Sequence, residues 1–573
     1  MARPRYFVRL RSPLGAPDSH IGEVSAVAQD GQGPQLPQLV AAHAEATSAD
    51  DSLTARRLES VFAHHFYDTE LFGSPEQAGA EESYGAFYRL VREVAEALGD
   101  NRSAHDAAMS WMVWASDHDD VAEYWRARAR LAEDEAERYV SFIAYGPSSA
   151  AAESEIPLIS RMRREIHSYR DLILASDVVE TGRLSDPAEK SQRRYSKRAA
   201  LIDALFRVEK ALMRVRRADL AEDLQQLIRK LPNSEQSERI LLAKTLMEAA
   251  FLHSEGNVVQ AARLCASQLK AIGERSVIAG ISLRSNLASY SVETGNSDTA
   301  FRMLSNNVVV ADAHELDLDH VLAVRDMGEI DSIGSISGPS HEELLAIAQR
   351  AHDAAHGFPK CDITMDIALL TATEHFAVGD FAAAQPLAES IAAWSENTPD
   401  YLRTDAACAI AATSSLELDD MQHSAVLFDA LADLRSQYAA SESPAETLMN
   451  AALELTNAGA DGAIAAHLME RSRELVADTW ESAKWHESMA LLRWADWDDT
   501  GVYGFANNAA SLFLEVHAPS DAARVLAVAV RAAAGAHDAN AAENYVARID
   551  ELIAPTHPLH DEVHTLLAEA RSQ

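Results

Sequence analysis

The chain has 573 residues, a length that suits roughly three to five domains of ordinary size or one long array of repeats. Apolar residues make up 47% of it and charged residues 24%, a composition that supports a packed core and excludes bulk disorder. The 50 basic and 88 acidic residues leave a net charge of −38, which argues against a protein that binds nucleic acid over its whole surface. With three cysteines and no Cys-x-x-Cys pair, the sequence also excludes a disulfide framework and a zinc ribbon.

Residues 1–45 differ from the rest of the chain because they are rich in proline and glycine and hold only short β-like runs. We predict an irregular arm or a small hairpin there. The first apolar residues are interrupted by arginine, so no signal peptide is expected, and no run of about 18 apolar residues predicts a membrane span. These absences favour a cytoplasmic protein without a membrane partner, in which Cys265, Cys361 and Cys408 are buried thiols.

Apolar residues begin to recur at helical spacing near residue 46, and we predict an N-terminal helical region over residues 46–200. The aromatic side chains between residues 62 and 88 are interpreted as a core stripe, with a ligand pocket as the alternative. From residue 201 onward, amphipathic helices alternate with short turns, and no strand-like alternation appears.

A short turn containing an aspartate or asparagine recurs along residues 201–480. These residues occupy positions 219, 257, 296, 380, 420 and 461, so successive spacings are 38, 39, 84, 40 and 41. The spacing of 84 equals two periods, and Ser337-Gly338-Pro339-Ser340 lies where the missing turn is due. We interpret each position as the N-cap of a helix, often preceded by a glycine that ends the previous helix in the left-handed conformation.

Small residues occupy two fixed places in these units. Eight residues before the turn position stand Ala211, Ala249, Ala288, Ala372 and Ala412. Four residues after it stand Ala261, Ala300, Ala384, Ser424 and Ala465. One small side chain on each helix is what two antiparallel helices need in order to cross closely. The pattern therefore predicts one tightly packed helix pair in each unit.

The segment from Ala372 to Ala384, with its Gly379-Asp380-Phe381 turn between two small residues, resembles the tetratricopeptide-repeat (TPR) superfamily of stacked helix pairs. The resemblance covers residues of about 201–480 and implies an architecture, not a function. The period of 38–42 exceeds the 34 usual in that family, so a diverged array is expected. The resemblance implies an all-α fold: a right-handed α-solenoid of TPR-like antiparallel helix pairs, with C-terminal helical pairs and a cap over residues 481–573.

No phosphate-binding loop, nucleophile elbow or His-Glu-x-x-His motif occurs, so no catalytic residue, cofactor or metal ligand is assigned. His560 and His564 are four residues apart and share a helix face, where they could chelate a transition metal. We interpret them instead as part of a solvated face of the last helix.

Two groups of residues are candidates for binding a partner. The first is the aromatic pair Trp494 and Trp497 with the neighbouring Asp498 and Asp499, interpreted as a hot spot for a basic segment of another chain or of this one. The alternative is that both tryptophans pack in the core. Residues 371–573 contain 32 acidic and 10 basic side chains, a charge that complements a basic partner.

The second group is the basic run between residues 190 and 217. Its candidate partner-binding residues are Lys190, Arg193, Arg194, Lys197 and Arg198. The run is interpreted as a docking strip for an acidic protein segment or for nucleic acid, and the alternative is a solvated helix face that offsets acidic neighbours.

We therefore predict a non-catalytic scaffold or regulator that binds a protein or peptide partner. One alternative is a nucleic-acid-associated regulator that uses the basic strip of residues 190–217. The other is an enzyme with an unrecognised site in residues 50–200. The sequence leaves the oligomeric state open.

Overall fold

The computed structural model contains only helices and turns in the part of the chain that it describes. The described residues are 35–49, 51–67, 75–120, 123–134, 207–208, 211, 238–273, 275–331, 340–356, 358, 360–395, 401–438, 442–495 and 498–572. These residues form two compact units, Met1–Ile367 and Ala368–Gln573, which are described separately. The predicted all-α class is confirmed for these residues.

Two helical hairpins open the described chain. They comprise α1 (Leu36–Ser48), α2 (Ser52–His65), α3 (Tyr84–Leu98) and α4 (Asn101–Asp117), and residues 123–134 are also helical. Helix α1 begins inside the segment expected to be irregular, because a proline in the first turn of a helix does not break it. Of the predicted aromatic stripe, Phe62 and Phe87 are fully buried, which supports the core interpretation.

The first unit continues with further helices that pack against their neighbours along the chain. These are α5 (Glu238–Ser254), α6 (Val258–Gln268), α7 (Val277–Glu293), α8 (Ser297–Ala313), α9 (Asp317–Asp331) and α10 (His341–Ala355). Helix α11 (Asp362–Ala377) contains the boundary between the two units.

The second unit holds the remaining helices. They are α12 (Phe381–Ser395), α13 (Tyr401–Glu417), α14 (Met421–Gln437), α15 (Pro444–Asn457), α16 (Gly462–Leu475), α17 (Thr479–Ala495), α18 (Asp499–Glu515), α19 (Pro519–Gly535), α20 (Ala539–Leu552) and α21 (Pro558–Ser572).

The predicted turn positions are helix starts wherever the structure describes them. Helices α6, α8, α12, α14 and α16 each begin directly after the predicted residue, at positions 257, 296, 380, 420 and 461. The Asp420 carboxylate accepts a hydrogen bond from the backbone N–H of His423 at 3.1 Å. Ser340 caps α10 at the diverged unit. The preceding Gly256, Gly295 and Gly379 have φ of 80°, 76° and 81°, as the left-handed helix end requires. Position 219 lies outside the described residues.

The small residues predicted at helix crossings are all buried, in both sets. Within the hairpin of α13 and α14, the Ser424 hydroxyl donates to the carbonyl oxygen of Ala412 at 2.9 Å. This bond joins the two predicted positions of one unit directly, so the spacing identified the contact point between paired helices. The three cysteines are also buried and form no disulfide.

The repeat continues beyond the span assigned to it. Asp498 caps α18 and lies 37 residues after Asp461. Asp538 caps α20 and lies 40 residues after Asp498. In the turn before Asp538, His537 adopts the left-handed conformation in place of a glycine, with φ of 59°. The array therefore extends to the last helices of the chain.

The N-terminal hairpin is fixed to the array of the first unit by buried polar contacts. Arg56 on α2 donates to Asp319 on α9 at 2.9 Å and to Glu59 at 2.5 Å. The Ser60 hydroxyl accepts a hydrogen bond from the N–H of Leu318 at the start of α9. These contacts join residues about 260 positions apart in sequence, so the N-terminal helices are part of the first unit and not a separate appendage.

Candidate partner-binding surface

Two of the three described tryptophans on α17 have clear structural roles. The indole N–H of Trp485 donates to the backbone oxygen of Met469 at 2.8 Å. Trp480 packs edge-on against Phe513 of α18, with ring centroids 5.2 Å apart, and the Lys484 ammonium lies 5.5 Å from its ring centroid. Both side chains therefore hold α17 against its neighbours.

Trp494 differs from these two in its contacts. It lies one residue before the end of α17, and 42% of it is exposed, against 37% of Trp480. Within the described part of the chain, no hydrogen bond or ring contact involves its indole. The structure thus meets the requirement that Trp494 be accessible, whereas partner binding itself stays a prediction.

Helix α17 ends at Ala495, and Trp497 lies outside the described residues, so the pairing of Trp494 with Trp497 stays a prediction. Helix α18 begins after Asp498, whose carboxylate accepts a hydrogen bond from the N–H of Gly501 at 3.1 Å. Asp499 is the first residue of that helix, and its side chain also lies outside the description.

The Asp498 carboxylate is only weakly paired. Arg493 on α17 approaches it to 4.0 Å, and the two side chains are 42% and 46% exposed. An exposed ion pair at this distance contributes between about 0 and 1 kcal/mol, so a stronger cationic ligand could displace it. Trp494 and Asp498 therefore flank the turn between α17 and α18 as an accessible indole and an accessible carboxylate.

The basic run of residues 190–217 is described only at residues 207, 208 and 211. There the Arg207 side chain is 2% exposed and donates to Glu133 at 2.5 Å and to Glu96 at 3.1 Å. Arg207 is therefore part of the interior and is not available for docking, which corrects the docking-strip interpretation at this position. The five candidate residues between 190 and 198 lie outside the described residues.

Arg207 belongs to a buried ionic network in the first unit. Arg92 on α3 donates twice to Asp134, at 2.8 and 2.9 Å, and Arg130 donates to Glu96 at 2.8 Å. Burial alone lowers the pKa of the Arg92 guanidinium, but Glu96 and Asp134 outweigh it, so the pKa is raised and the charge is retained. These contacts join α3 to the helical residues 123–134 and indicate a structural role.

One group of side chains in the described part of the chain has the donor types and proximity of a metal site. It consists of Asp550, His560 and His564, whose ligand atoms lie within 4.8 Å of one another. The histidine pair was noted in the sequence, but Asp550 was missed because it lies on the preceding helix. No helix among the described residues is both long and apolar enough to cross a bilayer.

Neither a protein-family model nor a curated protein matches this sequence. Solved structures match at low identity. A Rap protein in complex with competence and sporulation factor is 13% identical over 65% of this chain and 100% of its own, with a TM-score of 0.28. Yeast Tom70 is 13% identical over 94% of this chain and 96% of its own, with a TM-score of 0.27. The Cut9 and Hcn1 assembly of the APC/C is 11% identical over 96% of this chain and 99% of its own, with a TM-score of 0.24.

Similarities at these TM-scores carry no argument about this chain. The architecture rests on the chain's own geometry: paired helices, capped turns in phase and small residues at the crossings. In the described residues the chain is an all-α protein built from repeated helix pairs.

Proposed function

We propose that this protein is a non-catalytic scaffold that binds a protein or peptide, and that the turn between α17 and α18 is a recognition surface for a basic segment. The observation that carries the proposal is the exposed indole of Trp494 and the weakly paired carboxylate of Asp498, which stand four residues apart in the sequence and flank one turn. Tryptophan is among the residues that most often dominate binding energy at interfaces. An indole face and a carboxylate together suit an arginine or lysine side chain.

The charge of residues 371–573 supports a basic ligand. This segment has 32 acidic and 10 basic side chains. Each of the ten cations already has an acidic or aromatic neighbour: Arg403 lies over Trp394, Arg473 over Trp485 and Arg548 over Tyr545, while Arg435, Arg471, Lys484, Arg493, Arg524, Arg531 and Arg571 approach carboxylates. The 22 carboxylates in excess of the ten cations therefore cannot each be neutralised by a lysine or arginine of the same segment. A positively charged partner would be steered towards it.

Between the two sources of a basic segment, the geometry favours another chain. Arg207 in the chain's own basic run is buried in ion pairs with Glu96 and Glu133. Withdrawing it would leave two carboxylates without that cation, at a cost of several kcal/mol. A separate polypeptide carries no such cost.

The proposal is tested by titrating the full-length protein into a fluorescein-labelled peptide with the sequence of residues 190–201, which serves as a defined basic ligand, and following fluorescence anisotropy. Trp494→Ala is expected to weaken binding by about 2 kcal/mol, close to 30-fold. Leu402→Ala is the matched control, because Leu402 is 76% exposed on α13 and its loss removes apolar surface elsewhere in the same unit.

The charge contribution is tested with Asp498→Asn. Asparagine keeps the helix cap, so the fold is retained while the charge is removed. We expect slower association and a flatter dependence of affinity on salt concentration. Equal affinities for Trp494→Ala and Leu402→Ala, or binding no tighter than that of an uncharged peptide, would contradict the proposal. Tight, salt-dependent binding of a labelled single-stranded RNA in the same assay would favour the nucleic-acid alternative.

A further inference from the structure

The last two helices of the chain bring three potential metal ligands together. His560 and His564 lie one turn apart on α21, and Asp550 lies near the end of α20. The Nε2 atoms of the two imidazoles approach the same Asp550 oxygen, Oδ1, at 3.4 and 3.1 Å. The two rings are 4.4 Å apart between centroids. Two imidazole nitrogens and one carboxylate oxygen thus converge from two helices.

These distances match the edges of a tetrahedral coordination shell. Bonds of about 2.0–2.1 Å from zinc to nitrogen and oxygen, at tetrahedral angles, place neighbouring ligand atoms about 3.3–3.4 Å apart. An ion could therefore enter between the three atoms with small side-chain rotations. The site is also open to solvent, since the three side chains are 23–41% exposed, so the ion needs no opening of the fold to reach it.

We propose that Asp550, His560 and His564 bind one divalent transition-metal ion, with zinc as the ion that best suits two imidazoles and a carboxylate. Three protein ligands leave a fourth position for water. The Nδ1 atom of His560 lies 3.8 Å from an oxygen of Asp561, too far for a hydrogen bond, so the ring is free to turn towards an ion. The bound ion fastens the final helix to the preceding hairpin, so it stabilises the end of the array.

The competing explanation is a metal-free arrangement, in which His564 donates a hydrogen bond to Asp550 and His560 only lies close to the same oxygen. Asp550→Asn separates the two explanations. An asparagine oxygen still accepts the hydrogen bond from His564, so the metal-free protein should unfold at nearly the same temperature as wild type. It is neutral and a poor zinc ligand, so metal affinity should fall.

The test is isothermal titration calorimetry of the metal-free, full-length protein with zinc chloride. We expect one equivalent to bind, and Asp550→Asn and His564→Ala each to lose about tenfold or more in affinity. Zinc should raise the unfolding temperature of the wild type but not of these variants. His467→Ala removes an exposed histidine from α16 and is the control for weak binding by the other histidines of the chain.

Cobalt(II) provides a readout of geometry, because a tetrahedral site with two nitrogens gives an intense visible absorption that surface-bound, octahedral cobalt lacks. That band should appear with wild-type and His467→Ala protein and be lost in His564→Ala. The assignment is overturned if wild type binds no zinc above the level of His564→Ala, or if Asp550→Asn binds as tightly as wild type. None of these measurements depends on the peptide partner.

Discussion

Replacing Ala372 by leucine tests the packing rule of the array where three helices meet. Ala372 on α11 forms a buried cluster with Ala388 on α12 and Ala411 on α13, and none of the three has any exposed surface. Leucine adds three carbon atoms to a point where only methyl groups fit, so the helices must separate or the side chain must leave its preferred rotamer. Overpacking of this kind costs about 1–3 kcal/mol.

Thermal unfolding followed by circular dichroism measures this cost. For a unit of this size, each kcal/mol lowers the midpoint by about 2–4 °C, so Ala372→Leu should lower it by about 2–12 °C. Ala377→Leu is the matched control, because Ala377 is exposed at the end of the same helix. Leucine and alanine have similar helix propensities, so this substitution should change the free energy of unfolding by no more than about 0.5 kcal/mol. Hydrogen exchange should increase in α11–α13 more than in distant helices. An unchanged midpoint for Ala372→Leu, or equal losses in both variants, would refute the packing argument.

Two further predictions concern buried charge and buried thiols. Arg56→Met should cost about 3–5 kcal/mol in urea unfolding at pH 7, because it removes the guanidinium that contacts the buried carboxylates of Glu59 and Asp319. Arg57→Met loses one hydrogen bond to a backbone oxygen and should cost about 1 kcal/mol. Burial alone raises the pKa of Glu59, but Arg56 and His43 together outweigh burial and lower the pKa. The resulting stabilisation exists above the ordinary carboxylate range and is lost on acidification, so the deficit of Arg56→Met should shrink towards pH 4. A deficit independent of pH would contradict this account. Burial raises the pKa of Cys265 to about 12, and the other two cysteines are also buried. Ellman's reagent at pH 8 should therefore detect no thiol in the native protein and three thiols after denaturation. Rapid reaction of the native protein would be inconsistent with this burial.

The sequence predicted the features that arise within one repeat and missed those that depend on distant contacts. Asn296 could be recognised as a helix cap because capping involves residues three positions apart, and the period made chance agreement improbable. Asp538 was not included in the array: the left-handed residue before it is a histidine, whereas glycine marks three of the recognised turns, before positions 257, 296 and 380. The Arg56–Asp319 contact and the burial of Arg207 leave no local pattern, since their partners come from elsewhere in the chain.

Some side chains are required for the helices to pair, and others are not. This difference explains why the architecture was easier to predict than the partner. Small residues at the crossings and caps at the turns are required for helices to pair, so they carry no information about a ligand. A ligand can be specified only by side chains that the array does not need. Trp494 is the candidate for such a residue, since it is 42% exposed near the end of α17. Replacing it should therefore weaken binding without lowering the unfolding temperature, whereas Ala372→Leu should lower the unfolding temperature through packing alone. A recognition residue therefore affects binding without affecting the unfolding temperature, whereas a packing residue affects the unfolding temperature. A Trp494→Ala protein that loses stability and binding together would place Trp494 among the packing residues.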